Sequence, residues 1–356
     1  MIGMTRRDAI SAALVTAAAI PLGLAPPAAA EAGPPRAKLP APTGPHPIGT
    51  VALRLVDHAR DNRELMISVW FPARDVARHP VAPWLPAAVL RELLVSAGFE
   101  PDVVASPLTA GHVGAQVRRV GGRLPVILFS HGAHDHRADT TIIVQELAGH
   151  GYAVVTIDHT DDAFSQFPDG RVIVPVEAPA LGPQDFADDA LFVLDRLSGL
   201  PGGLSRALDL RRIGMFGWSK GASATARVLL QDRRVRAGLS LDGPMEPAAA
   251  GELDRPFMLM TAEFPRDTDP NVAAFWDQLT GWRLTVQAAG AAHQSYVDYA
   301  VLLPQVGQQV GTLDPRRAVR IQQAYPLAFF DLHLRGRRSR LLDGPSRLFP
   351  EVAYLP

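Results

Sequence analysis

Apolar residues from position 125 onward form short continuous runs of strand length, which alternate with longer stretches where apolar positions recur at helical spacing. Continuous apolar strands with helix-length spacers are typical of a mostly parallel sheet covered by helices on both faces. We therefore predict one α/β domain. Its strands are predicted at residues 125–129, 152–157, 212–216, 235–241, 257–260 and 283–286, and its helices at 140–150, 184–197, 219–230, 272–279 and 315–334, the last with a break near Pro326.

Two further strands are predicted before this region, at residues 51–56 and 65–70. The second alternates apolar and polar residues, and the polar residues 59–63 provide a turn between the two. We expect an antiparallel N-terminal hairpin. Residues 74–118 contain Pro and Trp without a clear period, and we predict that they are irregular.

The N-terminal segment resembles an export signal. Residues 1–30 place Arg6 and Arg7 before an Ala-rich apolar stretch that ends in small residues at 28–30. This order is typical of a secretory signal peptide, and paired arginines are typical of the twin-arginine (Tat) type. The stretch is too short, and too often interrupted by Pro and Gly, to span a membrane. We expect secretion to the extracellular space, with a retained N-terminal anchor as the alternative.

The segment that follows the signal has a different composition. Residues 31–47 include six prolines, which predicts an extended, poorly ordered linker. The folded domain is then expected to occupy residues 48–356.

Charge and cysteine content exclude several kinds of protein. The 356 residues carry 35 basic and 36 acidic side chains, so no basic excess indicates a nucleic-acid partner. The absence of cysteine excludes disulfides, thiolate nucleophiles and zinc–thiolate or iron–sulfur sites. We expect neither a cofactor nor a nucleic-acid partner.

Residues 217–221, Gly-Trp-Ser-Lys-Gly, fit the pattern Gly-x-Ser-x-Gly. A predicted strand precedes this pentapeptide and a predicted helix follows it, which is the context of a nucleophile elbow. The flanking glycines remove side chains that would clash at so sharp a turn. We predict that Ser219 is a nucleophile; an ordinary Gly-rich turn with Ser219 as a helix N-cap is the alternative.

A nucleophilic serine needs a general base, which comes last in the chain order Ser, acid, His. Only His293 and His333 follow Ser219. His333 lies in a predicted amphipathic helix and is expected to be half-exposed at its surface. His293 follows the strand predicted at 283–286, on a loop at the same sheet edge as Ser219, and is the predicted base.

The acid that orients the base is less determined. Asp242 follows the strand predicted at 235–241, and Glu263 follows the next strand. Either carboxylate could reach the imidazole, and position alone divides them evenly. Asp242 could also be a turn residue before Gly243, and Asp267 and Asp269 are weaker candidates.

Two backbone amides are expected to form the oxyanion hole. One is the amide of Lys220, directly after the nucleophile, and the other is that of Ala133, in the loop after the first central strand. Gly132 allows this loop to turn closely, and the ammonium of Lys220 is expected to be solvated. The predicted substrate pocket consists of Trp218, His131, Phe164 and Phe264.

A histidine cluster offers a competing site. His131, His134, Asp135 and His136 resemble the His-x-His-x-Asp-His motif of metallo-β-lactamase-like hydrolases, with shifted spacing. A metal-dependent hydrolase is therefore one alternative. In the simpler interpretation His131 supports the oxyanion loop, His134 and His136 lie at the surface, and no metal is bound.

Several segments together resemble the platelet-activating-factor acetylhydrolase family, in particular its secreted bacterial lipase and esterase branch. The resemblance covers residues 48–335 and is carried by Phe-Ser-His-Gly at 129–132, Asp-His-Thr-Asp-Asp-Ala at 158–163, Gly-Trp-Ser-Lys-Gly at 217–221, Leu-Asp-Gly-Pro-Met at 241–245 and His-Gln-Ser-Tyr-Val-Asp-Tyr at 293–299. Trp218 and Lys220 stand where the animal enzymes carry His and Phe.

The resemblance implies an α/β-hydrolase fold for residues 48–356 and favours Asp242 over Glu263 as the acid. It also implies a calcium-independent ester hydrolase for short or oxidised acyl chains. We therefore predict a secreted serine carboxylesterase or lipase that acts on a small-molecule or lipid ester, with transient contact to a lipid surface. The alternatives are a polyester (cutinase-like) hydrolase, a dienelactone-type hydrolase and a non-catalytic secreted binding protein.

Overall fold

A long sheet runs through the computed structural model, which describes residues 33–178, 180–246 and 251–356. Residues Pro35–Pro356 form one compact unit. The predicted signal peptide, residues 1–30, lies outside the described residues. The strands are β1 (Ile48–Asp57), β2 (Arg63–Arg74), β3 (Val81–Pro83), β4 (Leu108–Val113), β5 (Gln116–Val117), β6 (Leu124–Ser130), β7 (Ala153–Asp158), β8 (Ser165–Gln166), β9 (Val172–Ile173), β10 (Leu208–Trp218), β11 (Val235–Leu241), β12 (Phe257–Thr261), β13 (Arg283–Ala288) and β14 (Val352–Leu355).

The main sheet has the strand order β14-β13-β12-β11-β10-β6-β7-β2-β1-β4-β3, and β5 pairs with β2. The neighbours from β13 to β7 are parallel. The β1–β2 hairpin and the β2–β7 and β13–β14 pairs are antiparallel. The predicted fold class, a mostly parallel sheet with an antiparallel N-terminal hairpin, is confirmed.

Helices cover both faces of the sheet because its central strands alternate their side chains between two apolar clusters. Val126 and Leu128 of β6 belong to one cluster, whereas Ile127 and Phe129 belong to the other. The helices are α1 (Ala87–Ser96), α2 (Thr141–Gly149), α3 (Pro183–Arg196), α4 (Leu204–Ala207), α5 (Lys220–Gln231), α6 (Pro270–Gln278), α7 (Tyr299–Leu302) and α8 (Pro315–Arg335). Residues of α3 and α5 pack in the first cluster, and residues of α2 and α8 in the second.

The last long helix begins and ends at residues suited to those positions. The side chain of Asp314 accepts hydrogen bonds from the amides of Arg316 and Arg317, and Gly336 ends the helix at φ 68. The break predicted near Pro326 is wrong, because α8 continues through that residue. A proline inside a helix costs about 3 kcal/mol. Burial of the neighbouring Phe329 and Phe330 offsets this cost.

The prediction that residues 74–118 are irregular is also wrong, since α1 and strands β3, β4 and β5 lie there. These strands are short, and β4 pairs with β1, which lies far away in sequence. Pairing of this kind leaves no local period in the sequence.

The predicted linker is attached to the domain from residue 35 onward. The carbonyl of Pro40 accepts a hydrogen bond from Gln145 Nε2 at 2.6 Å, and the amide of Thr43 donates to Glu146 Oε2 at 2.7 Å. Prolines lack an amide hydrogen, but their carbonyls remain acceptors for such side chains. Residues 35–47 therefore belong to the same compact unit as the predicted domain. In the described part of the chain, none of the helices is both long and apolar enough to cross a membrane.

Candidate active site

Ser219 occupies a strained turn between β10 and α5. Its φ of 53° and ψ of −120° lie in a region that non-glycine residues rarely adopt. A Cβ on Gly217 would lie 2.1 Å from the carbonyl oxygen of Gly221, and a Cβ on Gly221 would lie 2.0 Å from that of Ser130. Both positions therefore require glycine, which explains the Gly-x-Ser-x-Gly spacing.

Asp242 lies at the end of β11, beside the serine turn. The amide of Ser219 donates to the carbonyl of Leu241 at 3.1 Å, which joins the two turns. The carboxylate of Asp242 is fully buried and accepts hydrogen bonds from the amides of Ala262 at 2.6 Å and Phe264 at 3.1 Å. These bonds fix the direction in which the carboxylate points.

The imidazole of His293 contacts Asp242 and not Glu263. Nδ1 of His293 lies 2.7 Å from Asp242 Oδ2. Because a carboxylate is an acceptor, Nδ1 carries the hydrogen and Nε2 is left as the proton acceptor. Oε1 of Glu263 instead accepts the backbone amide of His293 at 2.9 Å. The two candidate acids thus hold different parts of the same histidine.

The remaining acid and base candidates have other contacts. The carboxylate of Asp269 caps α6 by accepting the amides of Asn271 and Val272. The ring of His333 packs against Trp282 at 4.5 Å, and burial lowers the pKa of His333 to about 4. His333 is therefore half-buried against aromatic rings, in agreement with the half-exposed position expected for it.

Two aromatic residues of the predicted pocket frame His293. The ring of Trp218 lies 4.7 Å from that of His293, and its Nε1 donates to the His293 carbonyl at 3.1 Å. The ring of Phe264 meets the imidazole edge-on at 5.5 Å. Trp218 and Phe264 therefore lie beside the imidazole, and their role in binding substrate stays a prediction.

His131 and Phe164 lie elsewhere. Phe164 is 4% exposed and packs in a separate apolar cluster with Trp84. His131 is fully buried, its Nε2 accepts the amide of His159, and its Nδ1 donates to the carbonyl of Gly132. The assignment of these two residues to an open pocket is therefore corrected, because neither has surface to offer a substrate.

The loop after β6 lies directly against the nucleophile. A Cβ on Gly132 would lie 2.5 Å from the Trp218 ring and 3.3 Å from the Ser219 Cβ. The segments that carry the amides of Ala133 and Lys220 therefore meet beside Ser219. An oxyanion hole formed by these two amides stays a prediction.

One buried carboxylate joins these two segments. Oδ1 of Asp162 accepts the amide of His134 at 2.5 Å, and Oδ2 lies 2.5 Å from Nζ of Lys220. The same ammonium donates to the carbonyl of Leu181 at 2.7 Å. Lys220 is thus held in a largely buried ion pair, which corrects the expectation of a solvated ammonium.

A second buried network of hydrogen bonds stabilises the loop after β6. The hydroxyl of Ser130 donates to Nε2 of His159 at 2.6 Å, and Nδ1 of His159 donates to Asp189 at 3.0 Å. Asp189 also accepts from Arg63 at 2.8 Å. Burial opposes ionisation of Asp189, but the hydrogen bonds from His159 and Arg63 lower its pKa to about 2. This carboxylate therefore stays ionised at neutral pH.

The histidine cluster does not assemble a metal site. Both ring nitrogens of His131 are engaged as described, and His136 is buried with its ring against Trp84 at 4.7 Å. Burial lowers the pKa of His136 to about 3. His136 is thus a core residue and not the surface residue expected. Within residues 33–178, 180–246 and 251–356, no three His, Cys, Asp or Glu side chains are grouped so that they could hold a metal ion.

Asp162 and Asp189 are not among the predicted site residues, whereas the sequence suggests His159 only as a further ligand in the metal interpretation. Asp162 and His159 belong to the polar run that follows β7, at the same sheet edge as Ser219. That run was the available signal, because polar residues directly after a buried parallel strand face the site at this edge. Asp189 lies inside α3 and gave no such signal.

The described geometry agrees with comparisons against known proteins. The family model for platelet-activating factor acetylhydrolase, isoform II, matches residues 32–167 and 202–339. The chain belongs to this family. A probable 1-alkyl-2-acetylglycerophosphocholine esterase from Arthroderma benhamiae is 25% identical over 89% of this chain and 93% of its own length. The platelet-activating factor acetylhydrolase of the dog is 22% identical over 75% of this chain and 68% of its own.

A solved structure gives a higher identity. The ferulic acid esterase from Streptomyces cinnamoneus is 35% identical, with a TM-score of 0.79, and the match covers 90% of this chain and 99% of that one. The family member described here is therefore a carboxylic ester hydrolase with an α/β-hydrolase fold.

Proposed function

We propose that this hydrolase cleaves carboxylic esters through an acyl-enzyme on Ser219, with His293 as general base and Asp242 as the acid that orients it. The observation that carries the proposal is the 2.7 Å contact between Asp242 and His293 Nδ1, beside a serine in a strained turn. A serine held in this way is exposed to attack an ester, and the free Nε2 can take its proton.

The reaction has two halves. Ser219 Oγ attacks the ester carbonyl while His293 Nε2 removes its proton, and the negative charge of Asp242 stabilises the imidazolium that forms. The amides of Ala133 and Lys220 donate to the oxyanion, and His293 returns the proton to the leaving alcohol. In the second half, His293 removes a proton from a water molecule, which attacks the carbonyl of the acyl-enzyme. His293 then returns the proton to Ser219 Oγ as the carboxylic acid leaves.

The first candidate substrate class is esters of short acyl groups, such as acetate. This choice is supported by the family, whose curated members are named acetylhydrolases and a 2-acetylglycerophosphocholine esterase. A lipid that carries such a short acyl ester, which the enzyme reaches by transient contact with a lipid surface, belongs to the same class. An acyl-chain series from acetate to palmitate tests it, and a maximum of kcat/KM at the long chains would contradict it.

A second candidate is an ester of a hydroxycinnamic acid. It is supported by the 35% identity to the ferulic acid esterase and by Trp218 and Phe264, which frame His293 with aromatic surface. Flat acyl groups stack favourably on such rings. Comparison of kcat/KM for ethyl ferulate and ethyl acetate distinguishes the two candidates.

Export by the twin-arginine route forms part of the proposal. It is supported by Arg6 and Arg7 before an apolar stretch and by the absence of cysteine, since a protein that folds before export needs no oxidative crosslink. Replacement of both arginines by lysine should retain the enzyme inside the producing cell. Unchanged export of this variant would contradict the Tat assignment.

The test of the serine mechanism compares two serines of one segment. Ser219→Ala should lower kcat for p-nitrophenyl acetate by at least about 10⁴-fold and abolish labelling by a fluorophosphonate. Ser223→Ala is the matched control, because Ser223 lies one turn further along α5 and its buried hydroxyl has no hydrogen-bond partner among the described residues. Residual activity of Ser219→Ala equal to that of the control would overturn the proposal and favour a non-serine mechanism.

A further inference from the structure

The edge of the sheet opposite Ser219 carries a concentration of arginine. Ser219 follows the carboxyl end of β10, whereas Arg123 precedes β6, and Arg211 and Arg236 lie near the starts of β10 and β11. These strands are parallel, so their starts share one edge. Three adjoining grooves of about 620, 640 and 330 Å³ lie there. Six of the arginines that line these grooves have neither an ion pair nor a side-chain hydrogen bond among the described residues, and we call the surface that they form the basic face: Arg118, Arg119, Arg123, Arg206, Arg211 and Arg236.

The grooves join to form one surface, because they share lining residues. Arg206 lines both the second and the third groove, and Arg123 and Arg211 line both the third and the first. All six side chains of the basic face are exposed. A ligand long enough to cross the grooves could therefore meet several guanidinium groups in turn.

Positive charge on the basic face is not neutralised by the protein. Asp209 is the only carboxylate among the described residues that line the grooves, and it pairs with Arg212 at 2.7 Å. Within the described chain, no ion pair is formed by the six side chains of the basic face. The whole protein has a formal charge of −1, so this positive surface is a local feature. Unpaired like charges on one surface attract a ligand of the opposite sign.

The surface chemistry favours a simple polyanion over a bilayer or a single-stranded nucleic acid. Guanidinium groups bind phosphate and carboxylate groups in a bidentate manner. Protein segments that bind bilayers normally add apolar side chains, and single-stranded nucleic acids need aromatic rings for base stacking. The described residues that line the three grooves include neither an aromatic ring nor any of the large exposed apolar side chains: Val81, Val95, Val103, Leu108, Val113, Val174, Val176 and Leu348.

We propose that the basic face binds a linear polyphosphate chain, which carries repeated phosphate groups and no bases. Bound in this way, the polymer would hold the enzyme with Ser219 on the opposite edge of the sheet, open to its substrate. The proposal does not depend on the ester chosen as substrate, and binding can be measured apart from hydrolysis.

The test uses labelled inorganic polyphosphate of defined length and measures its binding by fluorescence anisotropy over a range of salt concentrations. The triple variant Arg119→Gln, Arg123→Gln, Arg211→Gln should bind at least about tenfold more weakly at low salt. The slope of log affinity against log salt should become less steep by about 2 to 3. With three arginines fewer, binding displaces fewer counterions from the polyphosphate. Hydrolysis of p-nitrophenyl acetate by this variant should equal that of the unchanged protein, which shows that it is folded.

The matched control removes the same charge elsewhere, by Arg91→Gln, Arg171→Gln and Arg316→Gln. Arg91 pairs with Asp102 and Arg171 with Glu64, outside the basic face. This control should bind polyphosphate as the unchanged protein does. Equal weakening in both triple variants would overturn the proposal, as would no binding at about 0.15 M salt. Preferential binding to vesicles of anionic lipid, or to single-stranded or duplex DNA of equal charge, would also overturn it.

Discussion

The ammonium of Lys220 lies 2.5 Å from a carboxylate oxygen of Asp162, whose other oxygen holds the amide of His134. Lys220 directly follows the nucleophile, and His134 directly follows Ala133. One carboxylate therefore ties together the two segments whose amides are proposed to hold the oxyanion. The side chain of Asp162 is 2% exposed, so solvent screens this ion pair little.

Loss of this ion pair should reduce catalysis more than substrate binding. Lys220→Met keeps the length of the side chain but removes the ammonium that pairs with Asp162, so this carboxylate no longer joins the loop to the serine turn. We expect kcat for p-nitrophenyl acetate to fall by about 10- to 100-fold with little change in KM, since small displacements of catalytic groups have effects of this size. Lys220→Arg should recover part of the loss, because it restores the positive charge.

The control for this experiment is an exposed ion pair. Arg233→Met removes the partner of Asp254 at the surface, where 80% of the arginine side chain is exposed. Pairs of this kind contribute about 0 to 1 kcal/mol, and the variant should retain full activity. An unchanged kcat in Lys220→Met would show that the buried pair has no positioning role.

Asp242 and Glu263 should differ sharply when each is replaced by its amide. Asp242→Asn replaces the acceptor of His293 Nδ1 by a group that cannot stabilise the imidazolium, and kcat should fall by about 10⁴-fold. Glu263→Gln keeps an oxygen that can accept the His293 amide, so its kcat should fall by less than about tenfold. Steady-state kinetics of both variants on the same ester measure the two losses of kcat. A larger loss in Glu263→Gln would assign the acid to Glu263.

The central strands could be predicted because their burial is continuous. Every residue of β6 and β7 is buried, and such strands appear in the sequence as uninterrupted apolar runs. The strand β14 could not be predicted, because it has four residues of mixed exposure and exists through its pairing with β13. The continuity of α8 through Pro326 depends likewise on packing, which the local sequence does not encode.

In the candidate site, too, the local features could be predicted from the sequence and the contacts between distant residues could not. The turn around Ser219 is local, so its glycines and its strand–turn–helix context are visible in the sequence. Asp242 and Glu263 follow adjacent strands, and only the direction of each carboxylate separates them. The pair of Lys220 and Asp162 joins residues 58 positions apart. No spacing rule predicts such a contact, because it arises where two loops meet at the sheet edge.

Gly132 offers a steric test of the proposed oxyanion loop. Gly132→Ala would place a methyl group 2.5 Å from the Trp218 ring, so the loop or the ring must move. We expect kcat to fall by about 10- to 100-fold and the protein to lose about 1 to 3 kcal/mol of stability. Gly199→Ala is the control, because a Cβ there would meet no atom within 4 Å. Equal activities of the two variants would show that the loop tolerates displacement.

Asp189 should make the stability of the protein depend on pH. Its pKa is lowered to about 2 in the folded state, against about 3.9 for an unfolded aspartate. The folded state therefore binds this proton less readily, so the stabilisation is complete above about pH 5 and is about half lost by about pH 3. Asp189→Asn should be less stable by about 3 kcal/mol at pH 7, because Arg63 loses its buried carboxylate partner and keeps only the exposed Asp161. Urea unfolding at several pH values measures both effects, and a stability difference that stays constant from pH 7 to pH 3 would contradict the assignment of this carboxylate as an ionised buried partner.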